Sequence, residues 1–210
     1  MFFNTNYMGG KKKQITFKAV KYKYGRIMSR LGYSDEFIDN YYKEWSKDKI
    51  PRLNDFMWHL FNRALYENEN LNLEEMFFRH KQIYYAMGIF VMEYENGNRN
   101  RYTRLAFEAE LNYFLLKNEQ SNLFYEVRII CGTNCEYAES INGFQRSPED
   151  MMKWQPLASE KCINPKGCNC GYSLKILRDE NDRLLKKNKK IKIKTATLIF
   201  KGQKKYLFLF

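Results

Sequence analysis

The sequence predicts an α+β protein: a helical N-terminal domain over residues 1–120, a small cysteine-knotted module over 121–174, and a basic helix with a C-terminal β-hairpin over 175–210. Three observations carry this. Apolar residues recur at spacings of three and four as far as residue 120, the signature of helices with one buried face. The pattern changes at Leu123 to a β-branched, alternating run. All five cysteines then fall between Cys131 and Cys170.

Residues 1–12 read as loose, with Gly9 and Gly10 leading into Lys11, Lys12 and Lys13. From Gln14, the residues Phe17, Val20, Tyr24, Ile27 and Leu31 form the stripe of an amphipathic helix, and Gly32 stands where a helix commonly ends. Ser34 is a candidate N-cap for a second helix carrying Phe37, Ile38, Tyr41 and Trp45. Pro51 interrupts, and Asn54 is a candidate cap for a third helix carrying Phe56, Met57, Leu60, Phe61 and Leu65. Asn72 with Glu75 has the spacing of a capping box for a fourth helix running to about Tyr94. The segment 95–100 has loop composition, and a fifth helix is expected over 102–117. No internal repeat is evident.

Residues 124–130 read as a strand that delivers the chain to Cys131. A short helix is expected over 134–141. Another begins at Ser147-Pro148, with proline at its first turn. Leu174, Leu177 and Leu184 give 172–187 a helical spacing. Residues 191–199 and 204–210 flank Gly202 as a hairpin, with Tyr206, Phe208 and Phe210 on one face.

The cysteines are spaced Cys131-x3-Cys135, then Cys162-x5-Cys168-x-Cys170. An odd number argues against a closed disulfide framework. No signal-peptide pattern opens the chain, so a reducing cytoplasmic compartment is expected, where clustered cysteines usually bind metal. Structural zinc takes four ligands, preferably thiolates, and two close pairs joined by a longer loop supply them. Cys131, Cys135, Cys162, Cys168 and Cys170 are therefore the candidate zinc ligands, and which four of the five bind is open at this point.

The segments Val127-Arg-Ile129, Cys135-Glu136, Ile141-Asn142-Gly143, Pro156-Leu157, Cys162, Gly167-Cys168-Asn169-Cys170 and Tyr172 resemble a cysteine module of uncharacterised bacterial and phage-related proteins. More distantly, they resemble the C-terminal cysteine module of phage minor head (head-morphogenesis) proteins. The resemblance covers about 124–172 and implies a structural zinc module without importing an activity. It implies a Cys-x-x-Cys pair starting at Cys135, whose second position is Ala138 here. Cys131 is the candidate replacement. For a phage-encoded chain the compartment is the host cytoplasm.

Catalytic zinc keeps an open position and usually includes histidine or carboxylate ligands. Both histidines, His59 and His80, lie in the helical half. His-x-Glu and Pro-Cys-x-x-Cys deaminase motifs are absent, as are a phosphate loop, a Gly-x-Gly-x-x-Gly fingerprint and a Gly-x-Ser-x-Gly elbow. No catalytic residue is assigned.

The net charge of +12 is concentrated at the ends. Residues 1–34 hold eight basic and no acidic side chains, and 175–210 hold twelve basic and three acidic; the middle holds sixteen basic and twenty-one acidic. Lys11, Lys12, Lys13, Lys186, Lys187, Lys189, Lys190, Lys192 and Lys194 are the candidate contacts to a polyanion. Lysines alternating with isoleucines over 191–194 equally suit a guarded edge strand. No stretch approaches the roughly 18–20 apolar residues of a transmembrane helix. The expected function is a non-enzymatic, zinc-stabilised basic protein that binds nucleic acid or an acidic protein surface. The alternatives are a structural or assembly protein of a phage or mobile element and, less favoured, a metal-dependent nuclease.

Overall fold

The computed structural model of the chain describes residues 15–47, 52–132 and 135–187. Helices run Phe17–Ala19 (α1), Gly25–Arg30 (α2), Asp35–Trp45 (α3), Leu53–Glu67 (α4), Leu73–Tyr94 (α5) and Asn100–Gln120 (α6). A π-helical turn, Val20–Tyr24, joins α1 to α2. Strand Tyr125–Ile130 (β1) follows, then helix Glu136–Ile141 (α7), strand Gln145–Arg146 (β2), helix Pro148–Trp154 (α8) and strand Gly171–Ile176 (β3). The sheet is antiparallel in the order β2-β1-β3. The architecture is α+β, mainly helical, as the sequence predicts.

Three N-caps form where the sequence places them. Ser34 Oγ accepts the amide of Phe37, Asn72 Oδ1 that of Glu75, and Ser147 Oγ that of Asp150. Each satisfies one of the amides that a helix start leaves unpaired. Asn54 does not cap α4. It lies one residue inside the helix and is nearly buried, and Arg52 holds the cap position. Its Oδ1 accepts the amide of Ile15, and its Nδ2 donates to Glu95 Oε1 at 3.1 Å. The side chain thus joins the chain before α1 to the end of α5. A buried polar group finds partners wherever they stand, and here they are distant in sequence.

Two cores result. Val20, Tyr24, Met28, Ile38, Phe56, Phe61, Ile83 and Phe90 are among those that fill the first, between the N-terminal helices and α5. Phe107, Leu111 and Phe114 of α6 join Val127, Ile129, Ile141, Met151 and Leu157 in the second. Between α5 and α6, Lys81 Nζ meets Glu110 Oε1 at 2.6 Å. Burial raises the Glu110 carboxyl above its ordinary range, and the ammonium partly offsets this.

The helix expected over 172–187 is a correction. Tyr172 to Ile176 lie in β3, which begins at Gly171, and beyond it Arg178 bridges to Leu184 and Leu123 to Lys186. β1 needs a full-length partner for its backbone groups, and the two-residue β2 cannot supply one. Asp179 Oδ1 accepts the amides of Asn181 and Arg183, closing a turn in which Asp182 takes a left-handed φ of 61°. The hairpin expected over 191–210 and the segment 1–12 lie outside the described residues. Among the described residues, no helix is long and apolar enough to cross a membrane.

His80, on α5, meets the Leu65 carbonyl through Nε2 at 3.3 Å. Burial lowers its pKa, opposed by that carbonyl and by Glu69. Protonation is thus easier in the unfolded chain, whose histidine titrates near pH 6.5. The penalty is absent above that pH and grows as pH falls towards the folded pKa. Between about pH 7.5 and 5.5 the wild type should lose more thermal stability than His80→Gln, which keeps a donor for Leu65. Equal losses in the two proteins, measured by circular dichroism, would refute this.

Candidate metal centre

The sheet brings two of the five cysteines together. β1 and β3 pair with Ile129 opposite Tyr172 and Ile130 opposite Gly171. One step further in that register, Cys131 falls opposite Cys170. Cys131, Cys162, Cys168 and Cys170 lie close enough that charge on one sulfur opposes ionisation of its neighbours. Cys135, at the start of α7, is approached by backbone amides and by the carboxylate of Glu136, whose charge opposes its ionisation. Cys135, Cys162, Cys168 and Cys170 line one small pocket with Tyr137, Ala138, Ile141, Pro156, Leu157 and Ala158. All five thiols are free, and Cys168 is buried.

Backbone amides converge on the sulfurs. Cys135 receives those of Ala138, Ile163 and Tyr137, Cys162 that of Asn164, and Cys168 those of Cys170 and Ala158. In all three cases the amide two residues on turns back to the sulfur. Amide donors favour the thiolate, the form that binds metal. They lower the Cys135 pKa, led by the Ala138 amide. At the others burial wins: Cys131, Cys162 and Cys168 are raised, and Cys170 is pushed up to about 12. Ala138 thus contributes an amide, where a Cys-x-x-Cys pair would place a second thiol. Ala158 takes a left-handed φ of 54° in the loop that presents its amide to Cys168.

The start of α6 grips this cluster from outside. Arg99 donates through Nη2 to the Cys168 carbonyl at 2.7 Å and to Asn169 Oδ1. Asn100 Oδ1 accepts the Cys168 amide at 2.7 Å. Gly167, buried between them, has φ 95°, and a Cβ there would lie 2.4 Å from Arg99 Cγ. Asn142 Oδ1 accepts the Cys131 amide at 3.0 Å. The sequence shows Arg99, Arg101 and Arg104 only as a basic group at a helix start; the fold commits Arg99 to the cysteine loop. The one clue was Gly167 beside Cys168, a glycine where a turn passes close to other backbone.

Cysteine thiols are the ligand type that structural zinc prefers, and four of them line this small pocket. Among the described residues, no group of three or more His, Cys, Asp or Glu side chains is placed so that it could hold a metal ion. The thiols are gathered, and metal binding requires them to give up protons and adjust their side chains.

Of the nine candidate polyanion contacts, Lys186 and Lys187 are described; Lys11, Lys12, Lys13, Lys189, Lys190, Lys192 and Lys194 lie outside the described residues. Lys186 is exposed. Lys187 Nζ donates to Asn118 O and, at 2.9 Å, to Asn118 Oδ1, and so serves the end of α6. Comparison of the chain with family models, with curated proteins and with solved structures returned no match.

Proposed function

We propose that this is a non-enzymatic, zinc-stabilised basic protein whose cysteine module holds one structural zinc and whose cationic surface binds nucleic acid. Cys135, Cys162, Cys168 and Cys170 are the ligands. Cys131 stands behind Cys170 at the strand end and steadies it. The observation that carries the metal reading is the convergence of these four thiols on one pocket with backbone amides turned to three of the sulfurs. The bound ion would fix the loops between β1 and β3 by neutralising thiolates that burial otherwise disfavours. It has no part in turnover.

Nucleic-acid binding is supported by the charge of +12 and its concentration at the two ends. Each phosphate contact releases condensed counterions, so affinity should fall steeply with salt. Electrophoretic retardation of DNA and RNA is expected at about 50 mM salt and should fade by about 200 mM. If nothing is retarded at the lower salt, the binding reading fails. An acidic protein partner recovered on the same surface would then take its place.

A further inference from the structure

We propose that Cys131 and Cys170 are a peroxide-responsive pair, which oxidation joins in a reversible cross-strand disulfide that takes Cys170 out of the zinc site. The release of metal rests on the zinc reading above; the disulfide does not. Two observations set the cysteines opposite each other. Ile130 pairs with Gly171 in the β1–β3 register. One residue beyond the cysteines the two chains still run side by side, since a Cβ on Gly132 would lie 3.9 Å from the Cβ of Asn169. Cys131 and Cys170 are held between these two points.

The hydrogen bonds fix the kind of pair. Ile129 donates its amide to Phe144 O and accepts the Gly143 amide, both at 2.9 Å, so its backbone groups face away from β3. Cys131, two residues on, faces the same way, and its amide donates to Asn142 Oδ1 at 3.0 Å. Cys131 and Cys170 are therefore a non-hydrogen-bonded pair, the kind whose side chains stand closest, with Cα atoms about 4.5 Å apart. A disulfide spans Cα separations of about 4.4–6.8 Å. Both side chains also emerge on the inner face of the sheet. Cys131 shares that face with Val127 and Ile129, and Cys170 shares it with Tyr172 and Leu174, all in or against the second core. Joining the sulfurs thus requires no shift of the strands.

Cys131 is outside the pocket that the other four thiols line, so it stays a free thiol beside a ligand. Cys131 and Cys170 are both partly exposed. Cys168 also neighbours Cys170, but it is buried, and Arg99 and Asn100 pin its loop. The Cys131 sulfur attacks one oxygen of the peroxide; the O–O bond breaks, and the departing hydroxide takes the thiol proton. The Cys170 sulfur then attacks the resulting sulfenic acid, forming the S–S bond and breaking the S–O bond. This second hydroxide takes a proton from solvent. Two electrons leave the sulfurs, and hydrogen peroxide becomes two waters. Zinc loses its fourth thiolate and departs. Small thiols reverse the step by exchange, as transient disulfides in a reducing compartment require.

The test treats the full-length protein, purified without chelator, with hydrogen peroxide. Free thiols are then alkylated, the linked peptides are mapped by mass spectrometry, and released zinc is read with a metallochromic dye. The wild type should yield a Cys131–Cys170 linkage and about one zinc per disulfide formed. Dithiothreitol should remove the linkage and allow zinc to rebind. Cys131→Ser should keep its zinc under the same treatment, and an unchanged melting temperature before oxidation will show that it folds. A linkage among Cys135, Cys162 and Cys168 with Cys131 still free would overturn the proposal, as would zinc loss from Cys131→Ser as fast as from wild type. A wild type that holds zinc but forms no Cys131–Cys170 linkage would sink this pair and leave the metal reading standing. A wild type without zinc that forms the linkage would do the reverse.

Discussion

Cys168→Ser should lower the stability of the 124–172 module by at least about 4 kcal/mol, because a structural zinc site contributes folding free energy directly. For a chain of this size that is a fall in Tm on the order of 10 °C. Cys168 is the buried member of the cluster, packed in the second core and approached by the amides of Cys170 and Ala158. A serine there also loses some packing, so the variant alone does not isolate the metal. A chelator does. Wild type treated with chelator should lose most of the same stability, and the gap between it and the treated variant should shrink to about 1 kcal/mol. A gap that stays the same with and without chelator would assign the whole effect to packing.

Gly167→Ala should cost about 3 kcal/mol, well above the usual effect of adding one methyl group. Two strains combine. The backbone φ of 95° is one that a side chain rarely adopts, and the new Cβ would meet Arg99 Cγ. Arg99 cannot swing aside without breaking its hydrogen bond to the Cys168 carbonyl. Adding Arg99→Ala removes the contact but leaves the backbone strain, so the double variant should be more stable than the sum of the single losses predicts. Strict additivity in urea denaturation would show that the two residues do not press on each other. Loss of zinc from Gly167→Ala alongside its loss of stability would link the start of α6 to the metal loop.

What the sequence disclosed and what it hid follow one physical division. Caps such as Ser34, Asn72 and Ser147 act on amides three residues away, so spacing alone reveals them. β1 is legible for the same reason, being a local alternation of β-branched residues. Asn54 looked like a cap because its residue type is right, but its partners, Ile15 and Glu95, are distant in sequence. β3 was hidden because Leu174, Leu177 and Leu184 satisfy a helical spacing while Tyr172, Leu174 and Ile176 also alternate; the unpaired backbone of β1 decides between them. The candidate site divides likewise. Clustering of the cysteines is plain in one dimension. That Cys131 falls opposite Cys170, that Ala138 supplies an amide, and that Arg99 and Asn100 hold the loop depend on the β1–β3 register and on where α6 begins.

The central claim is the metal, and its most direct test is zinc content by elemental mass spectrometry on protein purified without chelator. The account predicts about one zinc per chain in the wild type, retained in Cys131→Ser and lost in Cys168→Ser. A wild type with no zinc would contradict it and leave the five cysteines as core thiols.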